Sequence, residues 1–239
     1  MDRFFGRVLQ KRATIEKDFR HLKVKRIKEG DLIEVIDEGS LKPFLGKVIK
    51  ISKKRAEVDV LQELPLNVPK VFIRLYQCVP VKLSTFDEIV EMVSQVGVSE
   101  IVPVISKRSF NKVSTLREKL ERWNRIALES IKQCGRHQPL KVLPPLKLEE
   151  IEPLKEGLNL FPFERESSKL LAEEILLNKT AKMVALVIGP EGGFAKEEVD
   201  LLEEKGFKPV SLGNFILKAQ TAAVVSSFAV YHLLLQNET

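Results

Sequence analysis

The sequence predicts a chain in two parts: a small β-rich domain over residues 1–68 and a parallel α/β domain over 69–239. Three observations carry this. From Val71 onward, short apolar runs alternate with segments of three- and four-residue apolar spacing, the rhythm of a parallel sheet with crossover helices. The run Met183-Val184-Ala185-Leu186-Val187-Ile188 is almost continuously apolar, as suits a strand buried on both faces. Residues 1–70 instead carry short alternating runs punctuated by Gly6, Gly30, Gly39 and Gly46, which suits a small barrel or closed sheet.

In order along the first part, residues 32–36 form a strand. Residues 44–51 and 56–61 form a hairpin around Ser52-Lys53-Lys54-Arg55, and Pro65 and Pro69 bracket a linker. In the second part, strands are expected at 71–75, 100–105, 157–161, 183–188 and 209–212, and helices at 85–96, 114–134, 167–177, 196–205 and 221–236. The long helix 114–134 is marked by Leu116, Leu120, Trp123, Ala127 and Ile131 on one face. That spacing assigns Trp123 to the core rather than to base stacking.

Composition narrows the function classes. Hydrophobic residues make up 44% and charged residues 30% of 239, enough apolar material for a sizeable core. Two cysteines, Cys78 and Cys134, make no disulfide framework, and with three histidines and no CxxC they form no metal-ligand cluster. The N-terminus lacks a signal-peptide apolar region, and no apolar run is long enough to span a bilayer, so no membrane role is expected and a reducing, cytoplasmic setting is. Charge is unevenly placed: residues 1–70 hold 17 Lys and Arg against 11 Asp and Glu, and residues 101–145 hold 10 against 3. Two basic zones of this kind attract polyanions, nucleic acid first among them, although solvated surface gives the same count.

The segment Ile188-Gly189-Pro190-Glu191-Gly192-Gly193-Phe194 follows the most apolar strand and precedes a helix, the place where open α/β sheets bind ligands. Three glycines and a proline there let backbone approach a ligand closely, and they also suit a tight turn with a helix cap. It is neither a P-loop nor a dinucleotide turn, and the carboxylate of Glu191 argues against phosphate. The strand ends at Leu160-Phe161-Pro162-Phe163-Glu164 and Leu212-Gly213-Asn214-Phe215-Ile216-Leu217-Lys218 carry unusual loops too, and three such ends imply one shared pocket.

The run Ile188–Phe194, then Leu212-Gly213, then Ile216-Leu217-Lys218-Ala219-Gln220-Thr221-Ala222, resembles the signature of the RsmE family of bacterial ribosomal RNA methyltransferases, in the SPOUT superfamily. That signature reads approximately IGPEGGF, then LG, two residues, ILR, one residue, ETA. Further blocks match in order: His21-Leu22 with Arg26 and Gly30-Asp31; Gly97-Val98 with Ile101-Val102-Pro103 and Arg108-Ser109; Trp123, Arg125, Gln133, Arg136 and Pro139. The chain departs from the pattern at Lys218 and Gln220, and in the block Met92–Val98, where a lysine and a glutamate are missing.

The resemblance implies a PUA-like β-barrel that helps bind RNA and a SPOUT domain whose C-terminal part forms a trefoil knot. It implies S-adenosyl-L-methionine as cofactor, methylation of N3 of one uridine of 16S rRNA in the 30S subunit, and an active site at a homodimer interface. On that basis Phe161, Pro162, Ile188, Gly189, Pro190, Gly192, Gly193, Leu212, Gly213, Ile216, Leu217, Thr221 and Ala222 are expected to form the cofactor pocket, largely through backbone groups. Arg136, Lys218 and Glu191 are the catalytic candidates. Glu191 serves as proton acceptor or, the favoured reading, as a loop-stabilising carboxylate. Arg3, Arg20, His21, Arg26, Arg108 and Arg136 are the RNA candidates. No metal is expected. Action on another RNA site, for which Gln220 speaks, and RNA binding without catalysis are the alternatives.

Overall fold

The protein is described from a computed structural model covering residues 1–235; Gln236, the expected end of the last helix, lies outside them. The chain divides into two compact units, one of Met1–Val68 with Ile131–Gln138 and one of Pro69–Ser130 with Pro139 onward.

In the first unit, β1 (Arg3–Leu9), β2 (Arg12–Ile15), β3 (Leu32–Asp37), β4 (Pro43–Ile51) and β5 (Ala56–Glu63) close into a barrel in the order β1-β2-β5-β4-β3. Alternate residues turn inward, so Phe4, Ile15, Ile33, Val35, Val48 and Val58 fill the interior. The expected hairpin is β4–β5 around residues 52–55. The first hairpin, β1–β2, was not expected: its turn uses Gln10 at φ +55° rather than a glycine, so it gives no turn signal. The short helix α1 (Phe19–Val24) also lacks a periodic signature, being only six residues long. Asp18 before it accepts the Phe5 N–H through Oδ2 (2.9 Å) and meets the Lys132 ammonium through Oδ1 (2.9 Å).

The end of β3 supplies a pH-dependent contact. The Asp37 carboxylate accepts the Val8 N–H (3.0 Å) and both the N–H and the hydroxyl of Ser40 (2.9 and 2.7 Å). Burial pushes its pKa up, but the Ser40 hydroxyl and the N–H groups of Val8, Ser40 and Gly39 together outweigh this and hold it below the usual carboxylate range. A depressed folded value adds stability above the unfolded pKa and loses it as pH falls through the folded one. Asp37→Asn is therefore expected to lower the urea midpoint of the barrel at pH 7, with the gap to the parent closing below about pH 4. Equal gaps at pH 7 and pH 3 would show that the charge is irrelevant.

The second unit is built on a parallel sheet in the order β12-β10-β11-β6-β7-β8, with β9 also on β7. Its strands are β6 (Phe72–Cys78), β7 (Glu100–Ile105), β8 (Lys141–Val142), β9 (Leu146–Lys147), β10 (Leu158–Pro162), β11 (Met183–Ile188) and β12 (Lys208–Val210). As its apolar run predicts, β11 is central, paired from Met183↔Phe72 to Ile188↔Gln77 on one side and with β10 on the other. Helices α2 (Leu83–Gln95), α3 (Val113–Cys134), α4 (Leu171–Leu177), α5 (Lys196–Glu204) and α6 (Ala219–Leu235) complete the order.

The core clusters assign helices to faces. Phe86, Trp123, Leu171, Ile175 and Ala223 from α2, α3, α4 and α6 join Ile73 and Leu75 on one face of β6. Leu202 of α5 joins Tyr76 and Cys78 on the other. Trp123 is fully buried; its ring lies 4.5 Å from that of Phe86 and its Nε1–H donates to Asp87 Oδ1 (2.8 Å).

One helix starts later than expected. Residues 167–170 are not helical, because the Glu166 carboxylate takes the N–H groups of Ser168 and Lys169 and the Ser168 hydroxyl. Leu170 then bridges to Ser211 in parallel fashion, with Ser211 N–H donating to Lys169 O and Leu171 N–H to Ser211 O.

Candidate functional site

The strand order creates a crevice. After β10 the chain crosses over the α4 face to neighbouring β11; after β11 it crosses over the α5 face and passes β10 to reach β12. Adjacent strands whose connections leave on opposite faces part at their C-terminal ends, which is where α/β sheets hold ligands. The three strand ends singled out in the sequence, Leu160–Glu164, Ile188–Phe194 and Leu212–Lys218, lead into or lie within the segments 163–170, 189–195 and 211–218 that follow these strands.

The segment after β10 meets both of the others. The Phe161 ring, fully buried, meets Phe194 edge-on at 6.0 Å and Phe163 at 6.2 Å. Phe163 N–H donates to Val210 O. A Cβ on Gly193, whose φ is +67°, would come within 3.0 Å of Glu164 Oε1. Ile188 and Pro190 are buried, Gly189 and Pro162 half-buried, and Leu212 and Leu217 partly buried against the helical core. Gly213 stands at φ +108° with nothing within 4 Å of where a Cβ would be, and its N–H donates to Ser211 Oγ (3.2 Å). Phe215 and Ile216 are 84% and 87% exposed, so neither side chain packs against the neighbouring loops. At the start of α6, Ala222 is buried and Thr221 exposed.

A fourth loop, not assigned to the pocket from sequence, braces it. Arg108 Nη1 donates to Gly192 O (2.6 Å), so this exposed RNA candidate binds the glycine loop directly. The buried Glu198 carboxylate accepts the Lys107 N–H through Oε1 and the Ala195 N–H through Oε2, both at 2.8 Å. The second of these bonds is a helix-cap contact three residues apart, the only trace of this brace in the sequence. Lys107 Nζ also meets exposed Glu197 at 3.1 Å. Glu191 and Lys218 are both exposed on these loops.

The remaining candidates belong to the barrel unit. Arg136 is 6% exposed and its Nε donates to Gln138 O (2.5 Å). Arg3 Nε donates to Glu34 Oε2 (3.1 Å), and Glu34 Oε1 lies 2.9 Å from His137 Nε2. His137 Nδ1 accepts the Asn67 N–H (2.8 Å), which leaves Nε2 to donate to Glu34. His21 packs its ring 5.2 Å from Phe4, while Arg20 and Arg26 are exposed. Cys78 is no nucleophile: burial pushes its thiol up to about 12. Among the described residues no group of His, Cys, Asp and Glu side chains has the makings of a metal site, and no helix is long and apolar enough to cross a membrane.

The family model for an RNA methyltransferase domain matches residues 68–230, and one for an RNA methyltransferase PUA domain matches 15–61. A ribosomal RNA small subunit methyltransferase E of Aquifex aeolicus is 36% identical over 209 residues, 87% of this chain and 89% of the relative. The chain belongs to this methyltransferase family. A Mesomycoplasma hyopneumoniae member is 30% identical over 94% of this chain and 96% of its own. Among solved structures, a Neisseria gonorrhoeae ribosomal RNA small subunit methyltransferase E bound to S-adenosyl methionine superposes with a TM-score of 0.80, 27% identity and 98% of each chain. A Legionella pneumophila methyltransferase structure with bound cofactor SAM gives 0.78 and 25%, over 99% of this chain and 98% of the other. The methyltransferase thus has the fold class expected, a barrel joined to a SPOUT-type parallel sheet.

Proposed function

We propose that this methyltransferase transfers the methyl group of S-adenosylmethionine to N3 of one uridine in 16S rRNA, acting on the small ribosomal subunit in the cytoplasm. The observation that carries the reading is the loop after β10 meeting both the glycine-rich loop after β11 and the loop after β12, with Phe161, Pro162, Leu212 and Leu217 as the apolar residues at these strand ends. The fit to the cofactor is physical. Gly213 leaves its backbone open, with nothing within 4 Å of where a Cβ would be, while Gly189 lies close under the Phe194 ring. Open backbone beside apolar residues suits an adenine edge, and the proline-glycine loop carries a carboxylate that would repel a phosphate but not a sulfonium. Bound there, the cofactor supplies an electrophilic methyl group on a sulfonium.

The chain's own residues then have two tasks. The loops hold donor and acceptor in line, so that the encounter becomes effectively unimolecular. A base removes the N3 proton and a cation steadies the anionic ring. Exposed Lys218, on the 211–218 loop, is the proposed cation, and Glu191 serves as proton acceptor or as loop carboxylate. Arg20 and Arg26, exposed on the barrel, and Arg108, at the glycine loop, are the proposed RNA contacts. His21 keeps only a partial place in that set, while Arg3 and Arg136 act through the internal bonds described above. The face of α6 that carries Val225 (39% exposed), Phe228 (53%) and the ring of His232 stacked on it at 5.4 Å supports assembly as a homodimer. The C-terminal loops are proposed to form a trefoil knot.

The test is transfer of labelled methyl from S-adenosylmethionine to unmethylated 30S subunits and to naked 16S rRNA, followed by nucleoside analysis. N3-methyluridine from 30S alone is the expected result. Transfer to another nucleoside would redirect the reading to a different RNA site, the alternative that Gln220 favours. Absence of cofactor binding would overturn it.

A further inference from the structure

Gln77 stands out once the pocket residues are set aside. It is fully buried one residue before the end of β6, paired in register with Ile188 of β11 on one side and Pro103 of β7 on the other. Ile188 is the last residue before the glycine loop, so Gln77 flanks the inner end of the pocket. Side chains alternate along a strand, and Ile73, Leu75 and Val79 all face the helical cluster while Tyr76 and Cys78 face the other. Gln77 therefore faces the side on which α6 lies.

The direction of α6 places its first turn nearby. Tyr231, near the other end, lies against Gly97, and Ser99 just beyond donates its N–H to Ile73 O at the start of β6. Ala219–Ala222 accordingly lie toward the strand ends, where Gln77 sits. The amide itself is fixed: Nε2 donates to Cys78 O (2.9 Å), and reversing it would set oxygen against oxygen. Its Oε1 is buried and finds no hydrogen-bond partner among the described residues. A buried carbonyl left unpaired is costly, and such a group in a folded protein calls for a partner.

We infer that Gln77 Oε1 is a binding group for the cofactor, accepting an N–H or O–H of the molecule as the glycine loop and the first turn of α6 part around it. The inference rests on the functional reading above. Two parts of the cofactor carry such donors, the amino-acid ammonium and the adenosine moiety. S-adenosylhomocysteine and 5′-methylthioadenosine, which lacks the amino acid, tell them apart.

Calorimetry and thermal melts of the full chain test it. Gln77→Met keeps the length and apolar volume but removes the carbonyl. It is expected to melt at or above the parent's temperature without ligand, to bind S-adenosylhomocysteine about tenfold more weakly, and to gain less in melting temperature when it binds. Weaker binding of 5′-methylthioadenosine as well assigns the donor to adenosine; unchanged binding assigns it to the ammonium. Gln77→Glu, which when neutral reproduces both the donor to Cys78 and the acceptor, is expected to recover affinity as pH falls, whereas Gln77→Met does not. Affinity of Gln77→Met within twofold of the parent, or a lower melting temperature with an unchanged ligand increment, would make the carbonyl a structural or water-bound group and overturn the inference. If the parent itself binds no S-adenosylhomocysteine, the functional reading falls and takes this one with it; if the parent binds and the variant binds equally, only this one falls.

Discussion

Trp123→Ala is expected to destabilise the α/β unit by about 3–5 kcal/mol, the largest single loss we foresee. The ring is fully buried in the helical cluster, so its removal leaves a cavity that α2 and α3 cannot both close. Its Nε1–H also serves Asp87 Oδ1, whose other oxygen already holds the Arg122 guanidinium at 2.9 Å. Truncation thus removes packing and leaves one carboxylate oxygen to water. Trp123→Phe keeps most of the volume and is expected to fall well short of the alanine loss. Urea unfolding followed by circular dichroism measures both. An alanine loss below about 1 kcal/mol would mean that the ring is not part of the core.

The second large effect falls on binding rather than on folding. Gly213→Val is expected to weaken cofactor affinity by ten- to a hundredfold, the equivalent of about 1–3 kcal/mol of backbone strain. A Cβ at this position would meet nothing within 4 Å, so crowding is not the cause. The cause is φ of +108°, a region that side-chain-bearing residues avoid and that a β-branched one tolerates least. The loop relieves the strain by changing its path, which moves the backbone of residues 212–217 away from the ligand. Because the loop is exposed there, the melting temperature without ligand should hardly change. Unchanged affinity by calorimetry would remove residues 211–218 from the pocket.

Much of the α/β unit was legible in the sequence because its elements announce themselves. Met183–Ile188 has no polar residue to place on a solvated face, and Leu116, Trp123 and Ala127 repeat at helical spacing. The turn from β11 into α5 was legible for a similar reason, since three glycines and a proline after a buried strand suit a tight turn with a helix cap. What stayed hidden depends on partners distant in sequence. Glu198 reads as a surface carboxylate in a polar helix until Lys107, ninety-one residues earlier, is found donating to it. Glu166 and Ser168 hold residues 167–170 out of the helix that their composition suggested, and Ser211 supplies an isolated bridge partner for Leu170. Arg136 looks like a free cation in a basic stretch, yet it is buried, and charge counting sees no difference between the two. Gln77 sits in a run of apolar residues and shows its character only through an atom with no partner among the described residues.

The edges of the parallel sheet carry a further meaning. At one side stand β8 and β9, two residues each, and at the other β12, three residues with Pro209 in the middle. Pro209 has no N–H to offer, and so short a run presents almost no free backbone to a passing strand. The barrel, being closed, presents none along its wall. A ribosomal RNA methyltransferase thereby keeps its β-structure from templating fibrils, and whatever association it undergoes is left to side-chain faces, where sequence can control it.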